Sequence, residues 1–181
     1  SGQVCSSSSR YLLHKDIREN FLTMLELKAA KLTVGMPADN PTLGPLASKE
    51  QYDKVVGYID RGKKDGAKLR FGGDRPKGLD QGYFIEPTVF DNVDPSMSIA
   101  REEIFGPVSI VHTFETEDQA LELANSLETG LNAGVYTQDI SRALSLTRKL
   151  HFGSIWINGW FIGGLQAPTG GEKNSGLGRE R

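Results

Sequence analysis

The stretch that decides the fold class is VSIVHTFETEDQALELANSLETGLNAGVYTQDI, residues 108–140. It opens with a β-branched and apolar run at 108–114, which is typical of a buried strand. Thr116 and Gln119 have the spacing of a capping box, which predicts that a helix begins there. Another strand-like run follows at 133–137. The stretch therefore predicts a strand, a helix and a further strand.

The same alternation continues on both sides of this stretch. The predicted strands are 11–14, 67–71, 83–90, 108–114, 133–137 and 154–158. The predicted helices run from Asp16 to about Leu32, from Ser48 to near Gly62 or Gly66, from Thr116 to about Leu127, and from Asp139 to Leu150. Strands alternating with helices predict an α/β fold, in which helices flank a largely parallel sheet.

The first predicted helix carries an apolar face. Asp16 and Glu19 have capping-box spacing at its start. Its apolar residues recur at near-helical spacing, which predicts that one face packs on the sheet. They are Ile17, Phe21, Met24, Leu25 and Leu32.

Composition limits the classes of protein to consider. The 181 residues, 38% of them apolar, suit one globular domain over 1–181, and nothing marks an internal boundary. The 21 basic and 23 acidic residues are scattered, which argues against a nucleic-acid partner. No stretch approaches the ~18 apolar residues of a membrane span, and the first residues lack the layout of a signal peptide, which leaves the cytosol or an organelle matrix and suggests a cytoplasmic protein. One cysteine and three histidines are too few to predict a metal site.

The only cysteine, Cys5, lies in the run GQVCSSSSR at residues 2–10. Small neighbours leave space for a substrate carbonyl, and a nearby helix start would favour the thiolate form. Most buried cysteines, however, are inert small apolar residues. The chemistry of this run alone favours the inert interpretation.

Six motifs in order carry a resemblance to a known family. They are Gly2-Gln3-x-Cys5 with Ser9-Arg10, Gly44-Pro45-Leu46, GYFIEPT at 82–88, EEIFGPV at 102–108, Trp156-Ile157-Asn158, and PTGGEKNSGLGRE at 168–180. In order and spacing they resemble the aldehyde dehydrogenase superfamily over essentially the whole chain.

The resemblance implies a fold and a reaction. The fold would be the catalytic domain of the aldehyde dehydrogenase fold, truncated at both ends. The reaction would oxidise a small-molecule aldehyde to an acid, with NAD or NADP as cofactor. Cys5 would be the nucleophile and would carry a thioester intermediate. The residues do not decide between the two cofactors, or between hydrolysis and acyl transfer to coenzyme A.

The resemblance also implies what lies outside residues 1–181. The dinucleotide-binding domain, a general-base glutamate and an oxyanion-hole asparagine would precede Ser1, and a strand that joins a neighbouring subunit would follow Arg181. The complete protein would be a homodimer or homotetramer. We therefore expect this chain alone to be catalytically inactive.

Three residues are candidates for cofactor binding by resemblance. Glu103 would accept hydrogen bonds from the nicotinamide-side ribose, and Phe105 would lie against the nicotinamide. Without the surrounding motif, a solvated Glu102–Glu103 pair and a core Phe105 would be the better interpretation. Gln51 corresponds to a position that often touches the cofactor, yet with Ser48 it has capping-box spacing, and both interpretations stay open.

The substrate pocket would be formed by the segment that begins at Asn158. Trp160 and Phe161 are its candidate walls. Thr169 and Gly163 are small where many relatives carry aromatic rings, which leaves the shape of the pocket and the substrate undefined.

Two alternatives belong to other functional classes. A relative with the same fold can serve as a structural or binding protein, although it would not need Cys5, Glu103 and Phe105 together. A thiol redox sensor would use Cys5 without a second cysteine in this chain, and so would have to pair with another molecule.

Overall fold

The structure is a computed structural model that describes residues 1–163 and 166–180. The chain divides into two compact units, Ser1–Glu115 and Thr116–Arg181. The sequence carries no composition change that signals this division. Within the described residues, no helix combines the length and apolar character that a membrane span requires.

The first unit contains four strands, three α-helices and one 3-10 turn among its described residues. They are β1 (Arg10–His14), α1 (Lys15–Ala29), the 3-10 turn (Pro37–Asp39), α2 (Lys49–Lys64), β2 (Lys68–Phe71), β3 (Thr88–Asp91), α3 (Ser98–Arg101) and β4 (Val108–Phe114).

These strands form one sheet in the order β1-β4-β3-β2. β4 pairs in parallel with both β1 and β3, whereas β2 is antiparallel to β3. All four residues of β3 are buried, as a strand covered on both faces requires. The α/β class with a largely parallel sheet is therefore confirmed.

The strand predicted at 83–90 is shorter than the sequence indicates. Only Thr88–Asp91 pairs in the sheet. Pro87 has no N–H to donate, and the N–H of Glu86 donates to the carbonyl of Asp74 at 3.0 Å. Phe84 and Ile85, which precede Pro87, are nonetheless buried, which explains why the run resembles a strand.

Helix α1 begins one residue earlier than its sequence indicates. The N–H of Asp16 donates to Nδ1 of His14 at 3.3 Å, so His14 caps the helix and the capping box predicted from Asp16 is wrong. Leu22 is buried against the sheet. Ile17 and Met24, however, are 55% and 61% exposed, so the predicted apolar face is only partly covered.

An ion pair joins α1 to the end of β3. The carboxylate of Asp91 is 1% exposed and pairs with the guanidinium of Arg18. It also accepts the N–H of Asn92 at 2.8 Å. Because an unpaired buried charge costs several kcal/mol, this contact strongly favours the observed placement of α1.

The second unit contains two α-helices and four short strands among its described residues. They are α4 (Glu117–Asn125), β5 (Thr129–Gly130), β6 (Asn132–Val135), α5 (Ile140–Lys149), β7 (Ser154–Ile157) and β8 (Glu172–Lys173). β6 and β7 are parallel, and β5 and β8 are antiparallel. The predicted capping box of Thr116 and Gln119 is present.

Lys173 ties the glycine-rich run 168–180 to the end of α4. Its Nζ donates to the carbonyls of Asn125 and Leu127 at 2.9 and 2.8 Å. A cation is favourable at a helix C-terminus, where carbonyls lack helical partners. The run, which contains the short strand β8, is therefore fixed to the rest of the second unit.

His112 on β4 predicts how stability depends on pH. His112 is 3% exposed, and its Nδ1 lies 2.9 Å from the carbonyl of Val93. Burial above all, and then the charge of Arg10, lower the pKa of His112 below its ordinary value of 6.5, although the hydrogen bond with Val93 and the charge of Asp94 act in the opposite direction. The folded state therefore keeps His112 neutral at a pH where the unfolded chain is protonated.

We expect the free energy of unfolding to fall as the pH drops below about 6.5, because the unfolded state then binds the additional proton. The substitution His112→Asn, which keeps a donor near the carbonyl of Val93, should remove this part of the dependence. Urea unfolding at several pH values measures it. His151→Asn, at an exposed histidine, is the matched control and should leave the dependence unchanged. An unchanged slope in His112→Asn would contradict the assignment.

Candidate active site

Cys5 lies in a turn that precedes β1. The N–H of Ser7 donates to the carbonyl of Val4 at 2.9 Å, which closes the turn around the thiol. The thiol-bearing residue is exposed. No helix begins here, so the expectation that a helix start favours the thiolate is wrong.

The segment 1–9, called here the cysteine segment, contacts the loop 102–107 through two glycines. Gly2 has a φ of +73°, and a Cβ added to it would lie 2.0 Å from the carbonyl oxygen of Gly106. Such a close approach of two backbones is possible only without a side chain. The contact therefore brings the residues around Cys5 against the loop that carries Glu103 and Phe105.

Sheet topology explains why these two segments meet. The cysteine segment leads into β1 and the loop 102–107 leads into β4. β1 and β4 are parallel neighbours, with Arg10 opposite Ile110. Segments that precede parallel neighbours reach the same edge of the sheet. Cys5, Glu103 and Phe105, predicted from separate motifs, thus belong to one edge of one unit.

Gln3 provides a second anchor for the cysteine segment. Its Oε1 accepts the N–H of Ala47 at 2.9 Å. In the sequence, Gln3 is part of the motif around Cys5, and the motif predicts no contact for its side chain. Its partner is 44 residues away, and nothing in the local pattern indicates that distance.

Glu102 and Glu103 have different environments. Glu102 accepts a hydrogen bond from the hydroxyl of buried Tyr58 at 2.7 Å. Burial first, and then this bond, raise the pKa of Tyr58 above its ordinary value of 10.0. Glu103 is exposed, and within the described residues no hydrogen bond or ion pair engages its carboxylate. Of the pair, Glu103 is therefore the one available to a ligand.

Phe105 is half-buried and has a φ of +58°. A left-handed backbone is a genuine outlier for a bulky residue, and persists only where the surroundings hold it. The interpretation of Phe105 as an ordinary core residue does not account for this conformation.

The side chain of Gln51 reaches the same loop. Its Nε2 donates to the carbonyls of Ile104 and Phe105 at 3.0 and 2.8 Å. Its backbone N–H donates to Oγ of Ser48 at 3.1 Å, so Ser48 caps α2 as predicted. Both predicted interpretations of Gln51 left out its contact with the loop.

In the second unit, the side chain of Asn158 is used by the backbone of Thr137. Oδ1 accepts the Thr137 N–H at 2.9 Å, and Nδ2 donates to the Thr137 carbonyl at 2.8 Å. The amide thus continues the β6–β7 pairing by one residue beyond Ile157. A role of Asn158 in a substrate pocket remains a prediction.

The predicted pocket walls form part of an aromatic cluster, here Trp156, Trp160 and Phe161. The ring centroid of Trp156 lies 5.3 Å from that of Trp160 and 5.8 Å from that of Phe161. Nε1 of Trp156 donates to the carbonyl of Ile162 at 2.6 Å. Phe161 is 64% exposed, so the cluster presents an apolar surface.

Thr169 is held by the end of the glycine-rich loop. Its N–H donates to the carbonyl of Glu180 at 2.8 Å, and the Glu180 N–H donates back at 2.7 Å. The neighbouring Gly170 approaches Gly153 so closely that a Cβ on Gly153 would lie 1.7 Å from the Gly170 oxygen. The backbone at Thr169 is thus fixed. Its contribution to a pocket remains a prediction.

The described residues contain no group of three or more His, Cys, Asp or Glu side chains placed to hold a metal ion. The chemistry available at the sheet edge is that of an exposed thiol, an uncommitted carboxylate and an aromatic ring.

Comparison with known proteins identifies consistent similarities. The profile of the aldehyde dehydrogenase family matches residues 1–181. Betaine aldehyde dehydrogenase of Brucella anthropi is 47% identical, over 99% of this chain and 38% of that protein. The structure of betaine aldehyde dehydrogenase from Staphylococcus aureus in complex with NAD+ superposes with a TM-score of 0.93 at 43% identity, over 99% of this chain and 36% of that one.

A further solved relative is the Mycobacterium tuberculosis aldehyde dehydrogenase complexed with NAD+. It superposes with a TM-score of 0.94 at 40% identity, over 99% of this chain and 37% of that one. The chain thus spans between 36% and 38% of the length of the relatives it matches.

The contact between Gly2 and Gly106 gives a prediction for the cysteine segment. We expect Gly2→Ala to detach the segment, because the new Cβ would overlap the Gly106 carbonyl and the left-handed backbone would be strained. Hydrogen exchange of a peptide covering 2–7, read by mass spectrometry, should become faster. Gly57→Ala, in a helix with nothing within 4 Å of the added Cβ, is the matched control. Equal exchange in both variants would rule out the anchoring role of Gly2.

Proposed function

Because the chain belongs to the aldehyde dehydrogenase family, we propose that the protein oxidises aldehydes to carboxylic acids with a nicotinamide cofactor and with Cys5 as nucleophile. The contact of Gly2 with Gly106 carries this proposal. It holds the thiol-bearing segment against the loop of Glu103 and Phe105, so that the proposed nucleophile and the candidate cofactor-binding residues share one sheet edge.

The proposed reaction is nucleophilic catalysis by the thiolate of Cys5. The sulfur attacks the aldehyde carbon, forming a C–S bond and an oxyanion, which the Cys5 N–H helps to hold. A nicotinamide cofactor held by Glu103 and Phe105 would supply the hydride acceptor for that carbon, and Cys5 would then carry the acyl group as a thioester. Water then cleaves the C–S bond, releasing the acid and regenerating the thiol. The general base that activates this water lies outside residues 1–181 in the proposal.

Residues of the loop 102–107 fit a nicotinamide nucleotide. An ionised carboxylate accepts hydrogen bonds from ribose hydroxyls, and Glu103 is exposed with its acceptors uncommitted among the described residues. Phe105, half-buried, offers a ring for the nicotinamide. The solved relatives in complex with NAD+ support NAD as the cofactor.

The aromatic cluster is the proposed specificity surface. Trp160 and Phe161 would line the aldehyde pocket, together with Thr169, and Asn158 would fix the start of this segment through Thr137. Aromatic faces attract quaternary ammonium groups. Betaine aldehyde, named in several relatives, is therefore the first substrate to test.

The complete protein is proposed to be a cytoplasmic homodimer or homotetramer. Exposed apolar residues support the proposal that further protein surfaces cover this chain in the complete protein. Met24 and Leu27 on α1 are 61% and 62% exposed, and Ile140 on α5 is 63% exposed. Surfaces of this composition are commonly covered in the assembled protein.

The role of Cys5 can be tested in the full-length protein. We expect Cys5→Ala to lower the rate of aldehyde-dependent NAD reduction by roughly a thousandfold or more, because the variant has no thiol to form the C–S bond with the aldehyde. The absorbance of the reduced cofactor measures this rate. Ser9→Ala, on an exposed residue of the same segment, should retain activity. A full-length protein that binds NAD but oxidises no aldehyde in a panel would instead favour the structural or redox-sensor alternative.

The two adjacent glutamates provide a matched pair of variants. We expect Glu103→Gln to raise KM for NAD about tenfold, because the charged acceptor for the ribose hydroxyls is lost. Glu102→Gln should leave KM unchanged and lower thermal stability modestly, because the Tyr58 hydroxyl then donates to a neutral amide oxygen in place of a carboxylate. Steady-state kinetics and thermal melting separate these effects. Equal changes in KM would contradict the assignment of Glu103.

A further inference from the structure

The side-chain amide of Gln51 bonds two successive carbonyl groups of the loop 102–107. Nε2 lies 3.0 Å from the oxygen of Ile104 and 2.8 Å from that of Phe105. A primary amide has two N–H donors. Two acceptors therefore match the full donor capacity of this nitrogen.

These carbonyls need a partner from outside the sheet. β4 begins only at Val108, so Ile104 and Phe105 lie before its ladder. Ile104 is buried, which limits the access of water to its backbone, and Phe105 is held at a φ of +58°. A buried carbonyl without a hydrogen bond is costly, and a left-handed bulky residue must be held by its surroundings. The amide of Gln51 meets both requirements.

Gln51 is itself well fixed. Its N–H is held by Oγ of Ser48 at 3.1 Å in the first turn of α2. One turn later, Val55 is fully buried, and a Cβ added to Gly106 would lie 2.5 Å from its Cγ2. The helix thus contacts the loop at two points, one polar and one apolar.

The geometry argues against the two simpler roles of Gln51. A complete capping box would need the Ser48 N–H to donate to the Gln51 side chain, and within the described residues this bond is not formed, unlike the box at Thr116. A direct donor role toward a cofactor would require amide hydrogens that the loop already uses.

We propose that Gln51 is a positioning residue, whose amide fixes the backbone of the loop 102–107 so that Glu103 and Phe105 are held ready for the cofactor. This inference rests on the proposed function. Gln51 acts through the loop, and its loss weakens cofactor binding without altering the thiol.

The test compares three variants of the full-length protein. Gln51→Met is nearly isosteric and removes both donors. Gln51→Glu places a carboxylate against two carbonyl oxygens. Glu50→Gln, on the exposed side of the same helical turn, is the matched control. Four quantities are measured: hydrogen exchange of a peptide covering 102–107, the Kd for NAD by calorimetry, the rate of Cys5 alkylation by iodoacetamide, and the melting temperature.

We expect faster exchange of the peptide and a Kd for NAD raised on the order of tenfold in Gln51→Met, with a larger rise in Gln51→Glu. The rate of Cys5 alkylation should stay at the wild-type value in both Gln51 variants. All four quantities should stay at wild-type values in Glu50→Gln. If affinity falls while exchange is unchanged, Gln51 touches the cofactor directly and the inference is overturned. The inference is also overturned if both the exchange rate and the Kd for NAD stay unchanged. It is overturned as well if Gln51→Met lowers the melting temperature and changes the Cys5 alkylation rate, because Gln51 would then stabilise the fold as a whole.

Failure of the proposed function has a separate signature. A wild-type protein that does not bind NAD contradicts the cofactor role of the whole loop. The exchange comparison between wild type and Gln51→Met, which needs no ligand, still reports whether the amide holds the loop.

Discussion

The close packing of Gly106 is the constraint on which the first unit depends. Its carbonyl oxygen lies where a Cβ on Gly2 would be, and its own missing Cβ leaves room for the methyl groups of Val55. Three segments that are far apart in sequence therefore meet at one residue without a side chain. Because interiors are packed nearly as densely as crystals, a side chain at residue 106 would force at least one of the three segments to move.

Parallel pairing supplies the rest of the arrangement. β1 and β4 run side by side, and each is preceded by a segment that carries candidate functional residues. Ligand sites of open α/β sheets commonly lie beyond the carboxyl ends of strands. Here the candidate residues of the first unit precede their strands, so the amino edge of the sheet carries them. Hydrogen bonds from Gln3 and Gln51 then fix backbones that the sheet itself does not pair.

Most of the predicted helix caps are present in the structure, whereas contacts between residues distant in sequence are not predicted. The caps at Ser48, Thr116 and Asp139 depend on residues three positions away, and all three are present. His14 replaced Asp16 as a cap because an imidazole accepts a bond that the sequence pattern does not anticipate. The two-residue strands β5 and β8 are too short to leave a periodic pattern. The family resemblance indicates Cys5, Glu103 and Phe105, whereas the partners of Gln51 lie 53 and 54 residues away and no local pattern indicates them.

The bond pattern of Asn158 makes this position unusually demanding. Its carboxamide presents one acceptor and one donor to Thr137, as a peptide group in a neighbouring strand would. An aspartate has the length but no donor when ionised, and a glutamine has the groups on a longer stem. Asn158 also has a φ of +53°, a backbone region in which asparagine is enriched among residues with side chains. Chemically similar residues are therefore not expected to replace Asn158, because this position requires a side chain that has the shape and the hydrogen-bonding groups of a peptide unit.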